Sequence, residues 1–311
     1  IPLFVPTAAP DPAIASFEQT LDIEHGTLTT EFTDSSGSKG RIIAFASRAD
    51  RSLVVFRYEG AAVPLSKRIK QSTAITGTYQ GVNASISVSE VKDARGTTIL
   101  CRIDSPVSPL SVQQTTQKSY ETLLSEHQAE WVQAWKSDII IDGDPEAQRV
   151  IHKALFDLRQ SAAPKGSNVS IAPEGLAGNF YKGHIFWDAD VWMLPALLPF
   201  DPDAAADIVG YRDKVKGTAT PWEGALTGKE RAPSGFSDGR HVIADAGYGA
   251  LLVLQTSATK TDKAVALRVL MRAADELIKL GFKSGPPSSF GKVTGPDELN
   301  MGVEENAYTN A

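Results

Sequence analysis

The sequence predicts an α+β multidomain protein: an N-terminal antiparallel β-sandwich, a helical linker, and a predominantly helical remainder. Three observations predict it. Up to about Val107 the apolar residues alternate at period two or gather in short β-branched runs. After Ser105-Pro106-Val-Ser-Pro109 the composition switches to helix formers. From Asp144 onward apolar residues return at helical spacing over long segments. The expected boundaries are 1–108 for the sandwich, 109–140 for the linker and 141–311 for the helical domain. With 311 residues the chain exceeds the usual size of one core, which fits more than one domain.

The strand signals come first along the chain. Arg41-Ile-Ile-Ala-Phe45, Ser52-Leu-Val-Val-Phe-Arg-Tyr58 and Thr97-Thr-Ile-Leu-Cys-Arg-Ile103 are rich in β-branched and aromatic residues. Ala84-Ser-Ile-Ser-Val-Ser-Glu-Val91 alternates small or polar with apolar residues, the pattern of a strand with one buried face. Turns are expected at Ser35 to Gly40 and at Glu59-Gly60. The single cysteine, Cys101, cannot close an intrachain disulfide, and its strand context reads as a buried small hydrophobe.

From about Gln113 to Trp135, residues Leu123, Leu124, His127, Trp131 and Trp135 recur near helical spacing and predict a helix that lays an apolar stripe on its neighbour. Asp144-Pro145 is an N-cap and first-turn pair, followed by Val150, Ile151, Leu155 and Leu158 on one face. Further helices are expected over Asp203 to Lys214, Val242 to Gln255 and Thr261 to Leu280, the last stopped by Gly281. Five or six helices follow residue 140 in all.

Composition narrows the function classes. Hydrophobic residues are 42% and charged residues 22%, ordinary for a globular protein. A net charge of −6 and a pI near 5.5 argue against nucleic acid or an anionic membrane as partner. No apolar run approaches the roughly 18 residues of a membrane helix. There is no glycine-rich phosphate loop, no metal-spaced Cys/His set and no Gly-x-Ser-x-Gly elbow, so no cofactor is implied. His25, His127, His152, His184 and His241 are scattered. The first residues lack an initiator Met and read like a processed mature end, and Asn83-Ala-Ser85 and Asn168-Val-Ser170 are glycosylation sequons. Together these give an extracellular or periplasmic expectation.

Three clusters carry chemistry. Gly183-His-Ile-Phe-Trp-Asp-Ala-Asp-Val-Trp-Met-Leu-Pro195 packs aromatic rings beside carboxylates, and Thr220-Pro-Trp-Glu-Gly224 repeats the pairing of indole with acid. A pyranose stacks its apolar face on such rings, while its hydroxyls donate to such acids. In the third, Val293-Thr-Gly-Pro-Asp-Glu298, proline ends any helix and sets two acids on a turn. An ordinary Pro-Asp turn, and tryptophans buried in a core, are the plain alternatives.

At these residues the sequence resembles glycoside hydrolase family 65. The motifs are Gly183-His-Ile-Phe-Trp-Asp188, Pro221-Trp-Glu223, Gly295-Pro-Asp-Glu298 and Asn306-Ala-Tyr-Thr-Asn310, with Gly175-Leu176, Tyr181, Gly210-Tyr211-Arg212 and Gly228-Lys229-Glu230 around them. That family contains inverting α-glucoside hydrolases, among them acid trehalases, kojibiose hydrolases and glucosylgalactosyl-hydroxylysine glucosidases, together with disaccharide phosphorylases.

The resemblance implies an α/α toroid of six helical hairpins for the helical domain, of which this chain carries the first half. It implies Glu298 as general acid, with Phe186, Trp187, Asp188, Trp222 and Glu223 holding the glucosyl unit, and His184 and Asp297 beside them. An inverting hydrolase also needs a carboxylate base roughly 6.5–9.5 Å from the acid. In the family that glutamate lies in the C-terminal half of the barrel, and no matching motif occurs here. Two junctions, Asp213 to Thr220 and Gly285 to Gly291, are short for the family. The chain is therefore a shortened relative, or lacks loops and a C-terminal half. A half toroid alone would expose a large apolar face, which implies self-association or a complementary C-terminal chain. The reading is inverting hydrolysis of an α-glucoside such as trehalose or kojibiose, since Phe186 to Trp192 resembles the hydrolases. The alternatives are an α-glucosyl phosphorylase and a non-catalytic carbohydrate-binding or scaffold chain.

Overall fold

The structure is a computed structural model that describes residues 14–60, 75–79, 82–105, 118–176, 178, 180–214, 220–233, 239–280 and 290–310. The chain's first residues, the Pro106 to Pro109 stretch and most of the two short junctions lie outside the described residues. Two compact units are formed, Ile1–Lys153 and Ala154–Ala311.

In the first unit seven antiparallel strands form one sheet in the order β1-β2-β3-β4-β7-β6-β5. They are β1 (Ile14–Asp22), β2 (Thr27–Asp34), β3 (Lys39–Ala46), β4 (Leu53–Gly60), β5 (Ile75–Tyr79), β6 (Val82–Asp93) and β7 (Gly96–Asp104). The turn expected at Glu59-Gly60 is strand instead: Glu59 pairs with Arg41 and Gly60 with Gly40, so β4 runs to Gly60 before a positive φ of 80° ends it. The hairpin of β1 and β2 is absent from the expected strands. The described strands make a single sheet, and helix α1 (Tyr120–Ala134) covers one of its faces. Period-two alternation puts Leu53 and Val55 on the same side, where Ile43, Phe45, Tyr120 and Leu123 join them in one buried cluster. Cys101, on β7, is half-buried and free, and burial raises its thiol pKa.

Two buried polar residues lock this layer. Arg57 donates from Nη1 and Nη2 to Asp93 at 2.7 Å each and lies over the Tyr120 ring. His127 is fully buried and stacks on Phe45. Its Nδ1 accepts from the Arg48 backbone N–H at 3.0 Å, which leaves Nε2–H to donate to the Gly26 carbonyl at 3.0 Å.

Helix α2 (Pro145–Ser161) leads into the second unit, which contains α3 (Leu194–Leu197), α4 (Pro202–Lys214), α5 (His241–Thr256), α6 (Lys260–Lys279) and the single turn α7 (Ala307–Asn310). The core gathers Ile185, Leu194, Leu197, Ile208, Val209, Tyr211, Ala250, Val253, Ala266 and Val269. Helices α5 and α6 make a hairpin in which Thr259 caps α6 by accepting the Asp262 N–H at 3.0 Å. Leu267, Met271 and Ile278 fall on one exposed face of α6, and Tyr248 and Leu251 are exposed on α5. Among the described residues no helix is long and apolar enough to cross a membrane, and no group of acids, histidines and cysteines could hold a metal ion.

Candidate active site

Loops of the second unit converge around His241, the first residue of α5. The ring is 1% exposed and meets three aromatic rings edge to face: Trp222 at 5.1 Å, Trp187 at 5.4 Å and Tyr308 at 5.7 Å between centroids. Neither ring nitrogen makes a hydrogen bond of full geometry among the described residues, and the Thr294 backbone beside the ring favours its protonated form only weakly against burial. Burial lowers the His241 pKa to about 4, so the ring is neutral at physiological pH. The structure thus brings together both predicted indoles, which lie far apart in sequence, and a histidine that spacing alone had left among the scattered ones.

Each indole is set by a specific device. Trp187 lies two residues before the π-helical turn Ala189–Met193, and the Asp190 N–H donates back to its carbonyl at 2.9 Å. Asp190 is 1% exposed and accepts from Arg212 Nη2 at 2.5 Å and from Nε at 3.2 Å. The same guanidinium donates to the Phe186 carbonyl at 3.2 Å, so one buried ion pair from α4 fixes the segment on both sides of Trp187. The Phe186 ring itself turns toward Tyr181, 5.0 Å away.

Trp222 and Glu223 stand on a loop held by Glu230. One oxygen of that carboxylate accepts the Trp222 N–H at 2.7 Å. The other accepts the N–H groups of Glu223 at 3.1 Å and of Arg231 and Ala232 at 2.9 Å each. Beyond it Gly224 pairs with Ile185 through two backbone bonds of 2.8 and 2.7 Å. A Cβ at Gly224 would collide with the Tyr211 hydroxyl, which donates to the Ala225 carbonyl at 2.7 Å; only glycine fits there. The pairing draws His184 and Glu223 together, Nδ1 to Oε1 at 2.5 Å.

Glu298 lies on a loop closed by the Val293–Val303 bridge, with bonds of 3.0 and 2.9 Å. Asp297 organises the tip: its Oδ1 accepts the Leu299 N–H at 3.2 Å and its Oδ2 the Asn300 side-chain amide at 2.5 Å. Glu298 reaches solvent, yet partial desolvation and then the negative charge of Asp188 raise its pKa. Asp188 is raised as well, by burial first and by Asp190 second. Two predicted residues 110 positions apart are thereby close enough to couple.

Sequence reasoning missed Asp190, Arg212, His241, Asp245 and Tyr308 as members of this site. Asp190, Arg212 and Tyr308 lay inside quoted motifs. His241 and Asp245, four residues apart, share a helix face, a spacing visible in the sequence.

The model of the Glycosyl hydrolase family 65 central catalytic domain matches residues 152–311. Among curated proteins, a kojibiose hydrolase of Mucilaginibacter mallensis is 34% identical over 209 residues, covering 61% of this chain and 30% of the relative. A kojibiose phosphorylase of Escherichia coli K12 is 29% identical, covering 62% and 30%. A protein-glucosylgalactosylhydroxylysine glucosidase of Dictyostelium discoideum is 29% identical, covering 65% and 31%. The chain spans about a third of the length of these relatives. A solved structure described as a kojibiose phosphorylase from the human microbiome shares the fold with a TM-score of 0.76 at 18% identity, over 94% of this chain and 51% of that one. Motifs, fold and family model agree: the chain belongs to glycoside hydrolase family 65.

Proposed function

We propose that this chain carries the glucosyl-binding subsite and the general acid of an enzyme that hydrolyses α-glucosides with inversion, with kojibiose or trehalose as the substrate type. The carrying observation is the pairing of two indoles, Trp187 and Trp222, with the coupled carboxylates Asp188 and Glu298. The partly exposed Trp187 offers a stacking face to a pyranose, Trp222, 4% exposed, backs it through the shared His241 ring, and Asp188 and Glu223 accept from the sugar hydroxyls. A glycosidic oxygen leaves poorly unless it is protonated as the bond breaks. The raised pKa keeps Glu298 in its acid form closer to neutrality, as that step requires. The base that activates water is assigned to none of the described residues. We further read α4 to α6 as part of an α/α toroid and the sheet as one layer of a sandwich.

The similarity to kojibiose hydrolases at 34% and 31% supports the hydrolytic reading. Relatives named kojibiose phosphorylase, and one named alpha,alpha-trehalose phosphorylase at 32% identity, support phosphorolysis as the second reading. The full-length protein is to be incubated with kojibiose, trehalose and nigerose, with and without inorganic phosphate. Hydrolysis releases glucose whether or not phosphate is present, initially as the β-anomer from the cleaved unit. Phosphorolysis requires phosphate and yields glucose 1-phosphate. No turnover of any of the three removes the reading of a kojibiose- or trehalose-cleaving enzyme and favours a carbohydrate-binding role.

A further inference from the structure

Tyr308 stands where the loop that carries Glu298 rejoins the fold. Its hydroxyl donates to Asp245 Oδ1 at 3.0 Å, and its ring meets both His241 and Trp187 edge to face. Asp245 is 5% exposed and lies one turn beyond His241 on α5, so a single helix face bears both partners of Tyr308. We propose that Asp245 and Tyr308 form a positioning pair that sets the Glu298 loop against the indole platform. This inference rests on the reading of Glu298 as general acid.

The connection from Tyr308 to Glu298 is short and stiff. Asn306 Oδ1 accepts the N–H and the hydroxyl of Thr309, each at 3.0 Å, which caps the turn bearing Tyr308. The Asn306 amide also packs against Gly295 so closely that a Cβ there would collide with it. Gly295 is followed by Pro296, whose φ is fixed, and then by Asp297 and Glu298. The Val293–Val303 bridge closes the loop behind them. A shift of Tyr308 relative to α5 is therefore carried through Asn306 into the acid-bearing tip. Trp187 touches the same His241 ring, so acid and platform share one reference point.

The charged and titratable groups facing Asp245 are Asp190 and Arg212, besides Tyr308 itself and His241 on its own helix. Asp245 Oδ2 has no hydrogen-bond partner among the described residues, so Oδ1 alone serves the tether. An amide oxygen at that position would serve as well. Asp245→Asn is thus predicted to preserve the pair, whereas Asp245→Ala and Tyr308→Phe break it.

The test uses the full-length protein and two readouts. In hydrogen exchange, the Val293 and Val303 amides should exchange roughly tenfold or more faster in Asp245→Ala and in Tyr308→Phe, as expected for a loop released to local opening. They should stay near wild-type in Asp245→Asn and exchange no faster in the double variant Asp245→Ala/Tyr308→Phe than in either single one. In kinetics on kojibiose, the two breaking variants should lose roughly tenfold to a hundredfold in kcat with little change in KM, since misplacement by about 1 Å is that costly. Turnover of α-glucosyl fluoride, which needs little protonation, should be spared. Unchanged loop exchange, or equal loss on both substrates, overturns the proposal. If the wild-type protein turns over no glucoside, the functional reading falls, and the exchange measurement still decides whether the tether exists.

Discussion

The pH dependence of stability offers a quantitative check on the buried site. Desolvation by burial, and secondarily the charge of Asp190, raise the pKa of Asp245 from 3.8 to about 7. The folded chain thus holds this proton more tightly than the unfolded chain does. The stability contributed by Asp245 is fully present below 3.8 and is lost as pH rises through about 7. A shift from 3.8 to about 7, at 1.36 kcal/mol per unit, corresponds to about 4 kcal/mol over the whole window. His241, with its pKa lowered to about 4, acts in the opposite sense: its contribution is lost as pH falls from 6.5 to about 4. Comparing wild type with Asp245→Asn cancels that background. Urea unfolding of both full-length proteins, followed by tryptophan fluorescence, should show wild type losing about 2–3 kcal/mol relative to Asp245→Asn between pH 4.5 and 6.5. Parallel stability curves would show that Asp245 titrates normally and is not buried as described.

Other expectations follow from the same geometry. Glu230→Ala frees four backbone N–H groups that hold Trp222 and Glu223; losing about 1–2 kcal/mol of that order should raise KM for kojibiose roughly 5- to 30-fold, and an unchanged KM would refute the clasp. Trp187→Ala removes a stacking face worth about 1 kcal/mol, so KM should rise about fivefold, whereas unchanged kinetics would return Trp187 to a purely structural role. The exposed face of Leu267, Met271 and Ile278 should make this 311-residue chain self-associate. Size-exclusion chromatography should show that Met271→Glu shifts it toward monomer; a compact wild-type monomer would contradict this.

What was legible in the sequence follows the range of the interactions. β6 announces itself by alternation, and α5 and α6 by apolar spacing, because these signals are local. β1 is an edge strand with an almost wholly exposed face, so it carries little alternation to read. The ends of β4 were misjudged because glycine at a strand's last residue looks like glycine in a turn. The predicted site residues lie in contiguous motifs. Asp190 with Arg212 and Asp245 with Tyr308 are separated by 22 and 63 residues, and no local pattern links such partners. His241 appeared isolated because its neighbours, Trp187, Trp222 and Tyr308, come from three different segments.

In the proposed mechanism Glu298 protonates the leaving group. Glu298→Gln in the full-length protein keeps the side chain's size but cannot supply a proton. Loss of general acid help is worth roughly a hundred- to ten-thousandfold, and should appear in kcat on kojibiose or trehalose. Turnover of α-glucosyl fluoride should remain close to wild type. The contrast separates loss of the proton from loss of the fold, which would abolish both activities. If Glu298→Gln turned over the natural disaccharide at near wild-type rate, another residue would have to be the acid.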